Sequence, residues 1–231
     1  MKTSILFPAL VLAAAPLLRA RPARSQEAGE AGLPQLAQEL FLAETVQPQE
    51  RGQVQLTAHS RFQGGPHTRL LGEYGITGRF QASLVTPALE GGADDDEKPW
   101  ELGVLYALLP GGSPFALSLS LEASLAEGEA PEWEPALIAA RRWGRVQLHG
   151  SVSTGLAEPD AAVAGTAAAL LDAGRFTPTL ELVWSAAGEE MAVPGAFFRP
   201  RDGVEVGVGV PVCLSCGRSP RQLRAMLTVE P

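Results

Sequence analysis

Between Trp100 and Leu125 the chain reads WELGVLYALL, then PGGSP, then FALSLSLEASL. Trp100, Leu102, Val104, Tyr106 and Leu108 share one parity, while Glu101, Gly103 and Ala107 hold most of the other. Beyond the Pro/Gly turn, Phe115, Leu117, Leu119, Leu121 and Leu125 alternate with Ala116, Ser118, Ser120, Glu122 and Ser124. A period of two over two runs of about ten residues, joined by a tight turn, predicts a β-hairpin with one apolar and one polar face. About ten residues is also the length a tilted strand needs to cross a bilayer.

The same unit recurs. Alternating runs start at Gln53 and include 68–75, 80–84, 133–142, 146–154, 161–171, 176–185, 191–198, 204–212 and 223–229, about twelve strands in all. The Ala-rich run 161–171 also suits a helix, and Pro194 interrupts another run. The connections alternate in kind. ITGR, PGGSP, WGR, DAGR and RPRDG are short and mostly carry Arg; the others are longer and mostly acidic, as in EGGADDDEKP and AEGEAPE. An up-and-down barrel has its odd and even connections at opposite ends, and short turns against long loops is the transmembrane version. A Greek-key sandwich has no reason to alternate so regularly. Tyr74, Phe80, Phe115, Trp143 and Phe176 lie near short turns, whereas Phe62, Trp100, Trp133 and Trp184 lie beside long loops. Two aromatic bands at that spacing match the two headgroup boundaries. The expected fold is all-β, an antiparallel transmembrane barrel of about twelve strands over residues 51–231.

Residues 1–25 read as a secretory signal: Lys2, an apolar run from Ile5 to Leu18, then small residues before a cut at Gln26 or, earlier, after Ala20. No other apolar run reaches the ~20 residues of a membrane helix, so a membrane location requires a closed barrel. Removing the leader leaves 14 basic against 26 acidic residues, a balance of −12 that argues against nucleic acid as a partner. Residues 26–50 lack a sustained period of two. They read as a mobile or surface-packed N-terminal arm, with an inserted plug left open. Cys213 and Cys216 read as a local disulfide or two free thiols. His59, His67 and His149 lack ligand spacing, so no metal or other cofactor is expected. An acidic loop such as EGGADDDEKP is more often solvated than a Ca²⁺ site.

With these features in place, the chain resembles the MetA-pathway of phenol degradation family of Gram-negative outer-membrane proteins. The resembling stretches are ETVQPQERGQVQLT at 44–57, GEYGITGRFQASLVTP at 72–87, WELGVLYALLPGGSPFALSLSLE at 100–122 and RPRDGVEVGVGVPV at 199–212. The resemblance implies an outer-membrane channel for small, hydrophobic or aromatic compounds, with outer-membrane lipid and the outer-membrane assembly machinery as partners. Such barrels usually finish on an aromatic that this machinery reads; the sequence here departs from that, ending LTVEP.

If the apolar parity meets lipid, the other parity lines the interior. That set contains His59, Arg61, Glu73, Gln81, Glu101, Glu122, Gln147, His149, Glu181, Glu205, Arg224 and Glu230. One reading is a hydrated, net-acidic pathway for cations or neutral solutes. The other is an interior filled by Glu–Arg pairs with no open route, serving a structural or surface-interaction role. A soluble exported barrel binding an apolar ligand is a third. The enzyme alternative is an outer-membrane phospholipase, since His149-Gly150-Ser151 could let a base activate a hydroxyl. The residues that follow are Val152-Ser153, not the Asn-Gly of that motif, and both groups share the polar parity with Gln147. The chain is therefore expected not to be an enzyme.

Overall fold

The computed structural model describes residues 36–62, 66–87, 89, 99–109, 115–126, 128–156, 163–185, 188, 190–215 and 222–231. The leader, residues 90–98 of EGGADDDEKP, the PGGSP turn at 110–114 and Cys216 lie outside the described residues.

Period-two sequence gives strands throughout. They are β1 (Val54–Phe62), β2 (Pro66–Thr77), β3 (Phe80–Val85), β4 (Trp100–Leu109), β5 (Phe115–Leu125), β6 (Glu132–Trp143) and β7 (Val146–Thr154), followed by β8 (Val163–Leu171), β9 (Phe176–Ser185), β10 (Glu190–Arg201), β11 (Val204–Gly209), β12 (Val212–Cys213) and β13 (Leu223–Val229). Each pairs antiparallel with its neighbours. β11 pairs with both β10 and β13, and β13 pairs with β1, so the sheet closes. Pro211 has no N–H to donate, and β12 resumes beyond it against β10. Counting β12 as the continuation of β11, the ring has twelve strands. The Ala-rich run is strand β8, not a helix, because β7 and β9 supply a ladder on both of its edges. Pro194 sits within β10 and still accepts, at its carbonyl, the N–H of Val210.

Among the described residues, the WGR and DAGR turns are tight. Trp143 pairs with Val146 across Gly144-Arg145, and Gly144 takes a φ of 56° that a side chain would disfavour. In the DAGR turn, Asp172 accepts the N–H of Gly174 and the guanidinium of Arg142.

The faces are inverted relative to a soluble protein. Leu102, Leu119, Leu137, Leu148, Leu180 and Val208 are exposed, while Gln55, Gln147, Glu181 and Glu205 are 0–1% exposed. Apolar outside and polar inside is the pattern of a barrel that meets hydrocarbon. Two aromatic groups flank this band. Phe176 meets Phe198 at 5.8 Å near one end and the guanidinium of Arg141 lies 4.4 Å over the ring of Trp143, while Trp100, Trp133 and Trp184 are exposed toward the other. The indole of Trp184 covers Gly165 on the adjacent strand, where any Cβ would collide with it.

Candidate functional site

The barrel interior is divided between a segment of its own chain and a cavity. Residues 36–50, which sequence left between a mobile arm, a surface-packed one and an inserted plug, run inside the ring. Leu36, Ala37, Leu40, Phe41 and Ala43 pack with Ala168, Leu170, Val193, Phe197 and Met226; Val46 packs with Leu105, Ala116, Ile138 and Ala140. A chain without regular structure leaves its backbone groups unpaired, so the wall must pair them. It does so with the polar parity. Both oxygens of Glu181 are used: Oε1 accepts the N–H of Phe41 at 2.9 Å, and Oε2 those of Leu42 at 2.7 Å and Ala43 at 3.0 Å. Glu205 accepts the N–H of Gln38 and the Arg199 guanidinium, Gln147 that of Leu36 and Gln81 that of Gln49. In the other direction Thr177 and Arg199 donate to the Leu36 carbonyl, Ser118 to that of Val46, and Arg224 to that of Phe41.

Small residues make the room. On β10 and β11, Gly195, Gly207 and Gly209 point at the segment. A Cβ at Gly195 would lie 2.6 Å from Phe41, and one at Gly207 would lie 2.6 Å from Phe197. Gly209 would be 2.9 Å from Val193 and 3.0 Å from Phe41. The glycines form a bed for the two stacked rings.

Above the segment lies a cavity of about 980 Å³. Its floor is residues 39–44, and its upper lining includes Pro87, Pro99, Trp100, Leu125 and Ala126, which border the long connections. The cup therefore lies toward the long-connection end of the described barrel, while residues 36 and 50 lie toward the short turns, beside Gln147, Thr177 and Gly75.

The sequence-derived interior residues sort into two sets. Glu73, Gln81, Gln147, His149, Glu181 and Glu205 are buried around the inserted segment. Glu73 accepts from Gln55 and Gln81, both of which bond Gln49, and His149 meets the Glu44 backbone. His59, Arg61, Glu101, Glu122 and Arg224 line the cup, with Glu101 paired to Arg69 at 2.9 Å. Glu230 follows β13 at the short-turn end, its N–H bonded to the Gly203 carbonyl. Sequence reasoning missed Glu39, Glu44, Arg69 and Glu134 as parts of this interior. The last two share the inward parity of their strands and were open to the same argument. His149 and Ser151 both face inward and are buried, and the Ser151 hydroxyl is 2.7 Å from that of Thr166. Neither stands at the lipid face where a phospholipase would need it. Cys213 is half of a disulfide.

No protein-family model matches the chain, and no curated protein does. Solved structures do. It is similar to the KdgM porin, with a TM-score of 0.59 at 13% identity over 76% of this chain and 97% of that one. KdgM porin in complex with disordered oligogalacturonate gives 0.60 at 12% identity over 76% and 97%. The NanC porin gives 0.56 at 9% identity over 77% and 98%. The likeness is one of fold, a closed outer-membrane-porin barrel; it does not extend to the phenol-degradation family suggested by the turn and strand motifs.

Proposed function

We propose that this protein is a bacterial outer-membrane barrel, delivered by a cleaved leader and folded in contact with lipid and the assembly machinery, that passes small polar solutes passively. The inverted faces carry the reading: an exposed Leu/Val belt around a polar interior has no use in water and an evident one in a bilayer. A soluble exported barrel would have to leave Leu119, Leu137 and Leu148 bare to solvent. The charged cup suits polar solutes better than the hydrophobic or aromatic ones implied by the sequence resemblance. A porin of similar shape in complex with an oligogalacturonate supports a hydrophilic cargo.

Residues 36–50 are then an internal plug that must shift or thin for solute to pass. Its bonded seat is also what favours the second reading, a non-conducting barrel with a structural or surface role. Single-channel recording in planar bilayers separates them. Folded full-length protein giving discrete current steps, enlarged when the plug is loosened, supports the channel. Silence from folded protein, with the plug intact and with it loosened, leaves the non-conducting barrel.

A further inference from the structure

Positive charge gathers where two neighbouring short turns meet. Trp143 pairs with Val146 and Val146 with Leu171, so the WGR and DAGR turns lie side by side. The N–H of Asp172 donates to the Arg145 carbonyl at 2.7 Å and joins them. From 139 to 149 and from 169 to 178 the sequence supplies Arg141, Arg142, Arg145 and Arg175 against one carboxylate, Asp172. That carboxylate is engaged on both oxygens: Oδ2 accepts Arg142 at 2.8 Å and Oδ1 the N–H of Gly174 at 3.1 Å. Arg145 donates its Nε–H to the Asp172 backbone carbonyl, a neutral group that does not offset its charge.

Arg141 is the member of this group that faces outward. It shares the parity of exposed Leu137 and Trp143, while Ile138 and Ala140 on the other parity are buried. Its cross-strand neighbours, Phe115 and Leu148, are exposed and apolar. The guanidinium lies 4.4 Å over the ring of Trp143, which puts the cation at the aromatic boundary and keeps it out of the hydrocarbon. No ion pair among the described residues involves it. Inward along the belt from Arg141, the outward residues Ala139, Gly150 and Ala167 form one cross-strand row. A Cβ at Gly150 would meet only the Thr166 carbonyl, at 3.6 Å, so no side chain fills the space above it. The row is a shallow trough that runs from the cation into the apolar belt.

We propose that this corner binds an anionic phospholipid, its phosphodiester in the fork of Arg141 beside Trp143 and an acyl chain in the trough over Ala139, Gly150 and Ala167. A guanidinium matches phosphate geometry with two parallel bonds. Arg145 and Arg175, both exposed in the adjoining turns, add attraction for the lipid's net charge. Phosphatidylglycerol offers its phosphodiester alone, whereas phosphatidylcholine sets an ammonium beside it that these guanidiniums repel. The longer connections at the other end, such as EGGADDDEKP and AEGEAPE, are acidic, so the preference belongs to the leaflet beside the short turns. The site rests on the reading of the exposed belt as lipid-facing.

The test is native mass spectrometry of the folded full chain, released from detergent micelles doped with equal amounts of phosphatidylglycerol and phosphatidylcholine. Phosphatidylglycerol should be retained in about five- to tenfold excess. R141Q should bring the ratio near one, and R141K, which keeps the charge but loses the fork, should fall between. R79Q removes the same charge from the β2–β3 turn and should leave the ratio unchanged. Each variant is compared at wild-type strand content by circular dichroism. Equal retention of the two lipids by wild type, or equal losses for R141Q and R79Q, overturns the site. Displacement of phosphatidylglycerol by inorganic phosphate at the lipid's own concentration would make it a free-anion site and overturn the lipid assignment. Insertion into vesicles checks the bilayer reading separately: protein that inserts without lipid preference loses this site alone, whereas protein that inserts into vesicles of neither lipid loses both.

Discussion

Phe41 lies on Phe197 with ring centroids 4.8 Å apart and planes 17° from parallel. One ring belongs to the inserted segment and the other to the barrel wall, so this stack is where the two parts are keyed together. Removing a ring from a packed site costs about 3–5 kcal/mol. Phe41→Ala is expected to unseat residues 36–50 and raise single-channel conductance, with the circular dichroism of the strands unchanged. Gly209→Val should give the same electrical result for the opposite reason, since its Cβ would start 3.0 Å from Phe41 and 2.9 Å from Val193. If cavity and overpacking fail to act alike, the stack is not what holds the segment.

Glu181 bonds three consecutive N–H groups with two oxygens, at 2.7–3.0 Å. Bonds to a charged acceptor contribute about 1.5–3 kcal/mol each, and an orphaned buried N–H costs about 1–3 kcal/mol. Glu181→Ala should therefore accelerate amide exchange at Phe41, Leu42 and Ala43 by at least about tenfold while the β9 ladder keeps its protection. Glu181→Gln, which keeps one oxygen, should fall between. Uniform acceleration of segment and strand would show that Glu181 serves the barrel as a whole.

The segment brings its own titratable group. Burial, and then the neighbouring carboxylates of Glu73, Glu181 and Glu205, push the Glu39 carboxyl well above the usual glutamate range. Its value when the segment is released is the ordinary one, about 4.3. A carboxyl raised in the seated state favours seating below that ordinary value and loses the contribution as pH climbs through the raised one. Wild-type conductance should accordingly grow as pH rises above the ordinary glutamate value, and Glu39→Gln should flatten the dependence. A current that grows toward acid would contradict the sign.

Strand, turn and face were readable because their signals are local. Leu102 and Glu101 declare opposite faces by being adjacent, and the glycine of WGR declares a hairpin within four residues. The place of residues 36–50 was not readable, because it depends on matches across the whole chain: Phe41 with Gly195 and Gly209, and Phe41–Ala43 with Glu181. One trace existed. In VEVGVGV the inward positions after Glu205 are both glycine, which a wall facing open water does not need and a wall facing a packed ring does. Likewise nothing local divides the polar parity into Glu181, which holds backbone, and Glu122, which lines the cup.

The outward parity has the most direct test. Leu119, 45% exposed, stands on β5 between Tyr106 and Leu137, and its neighbour Ser118 is fully buried with its hydroxyl donated to the Val46 carbonyl. In a bilayer, Leu119→Arg places a charge in hydrocarbon at a cost of about 2–4 kcal/mol near the midplane. At an exposed position in water the same change would stay within about 0.5 kcal/mol. Ser118→Ala removes one hydrogen bond to the inserted segment, about 1 kcal/mol, and touches no lipid. Urea unfolding of vesicle-reconstituted protein should therefore show a large loss for Leu119→Arg and a small one for Ser118→Ala. If the order were reversed, Leu119 would face protein or water, and the barrel would not be one that spans a membrane.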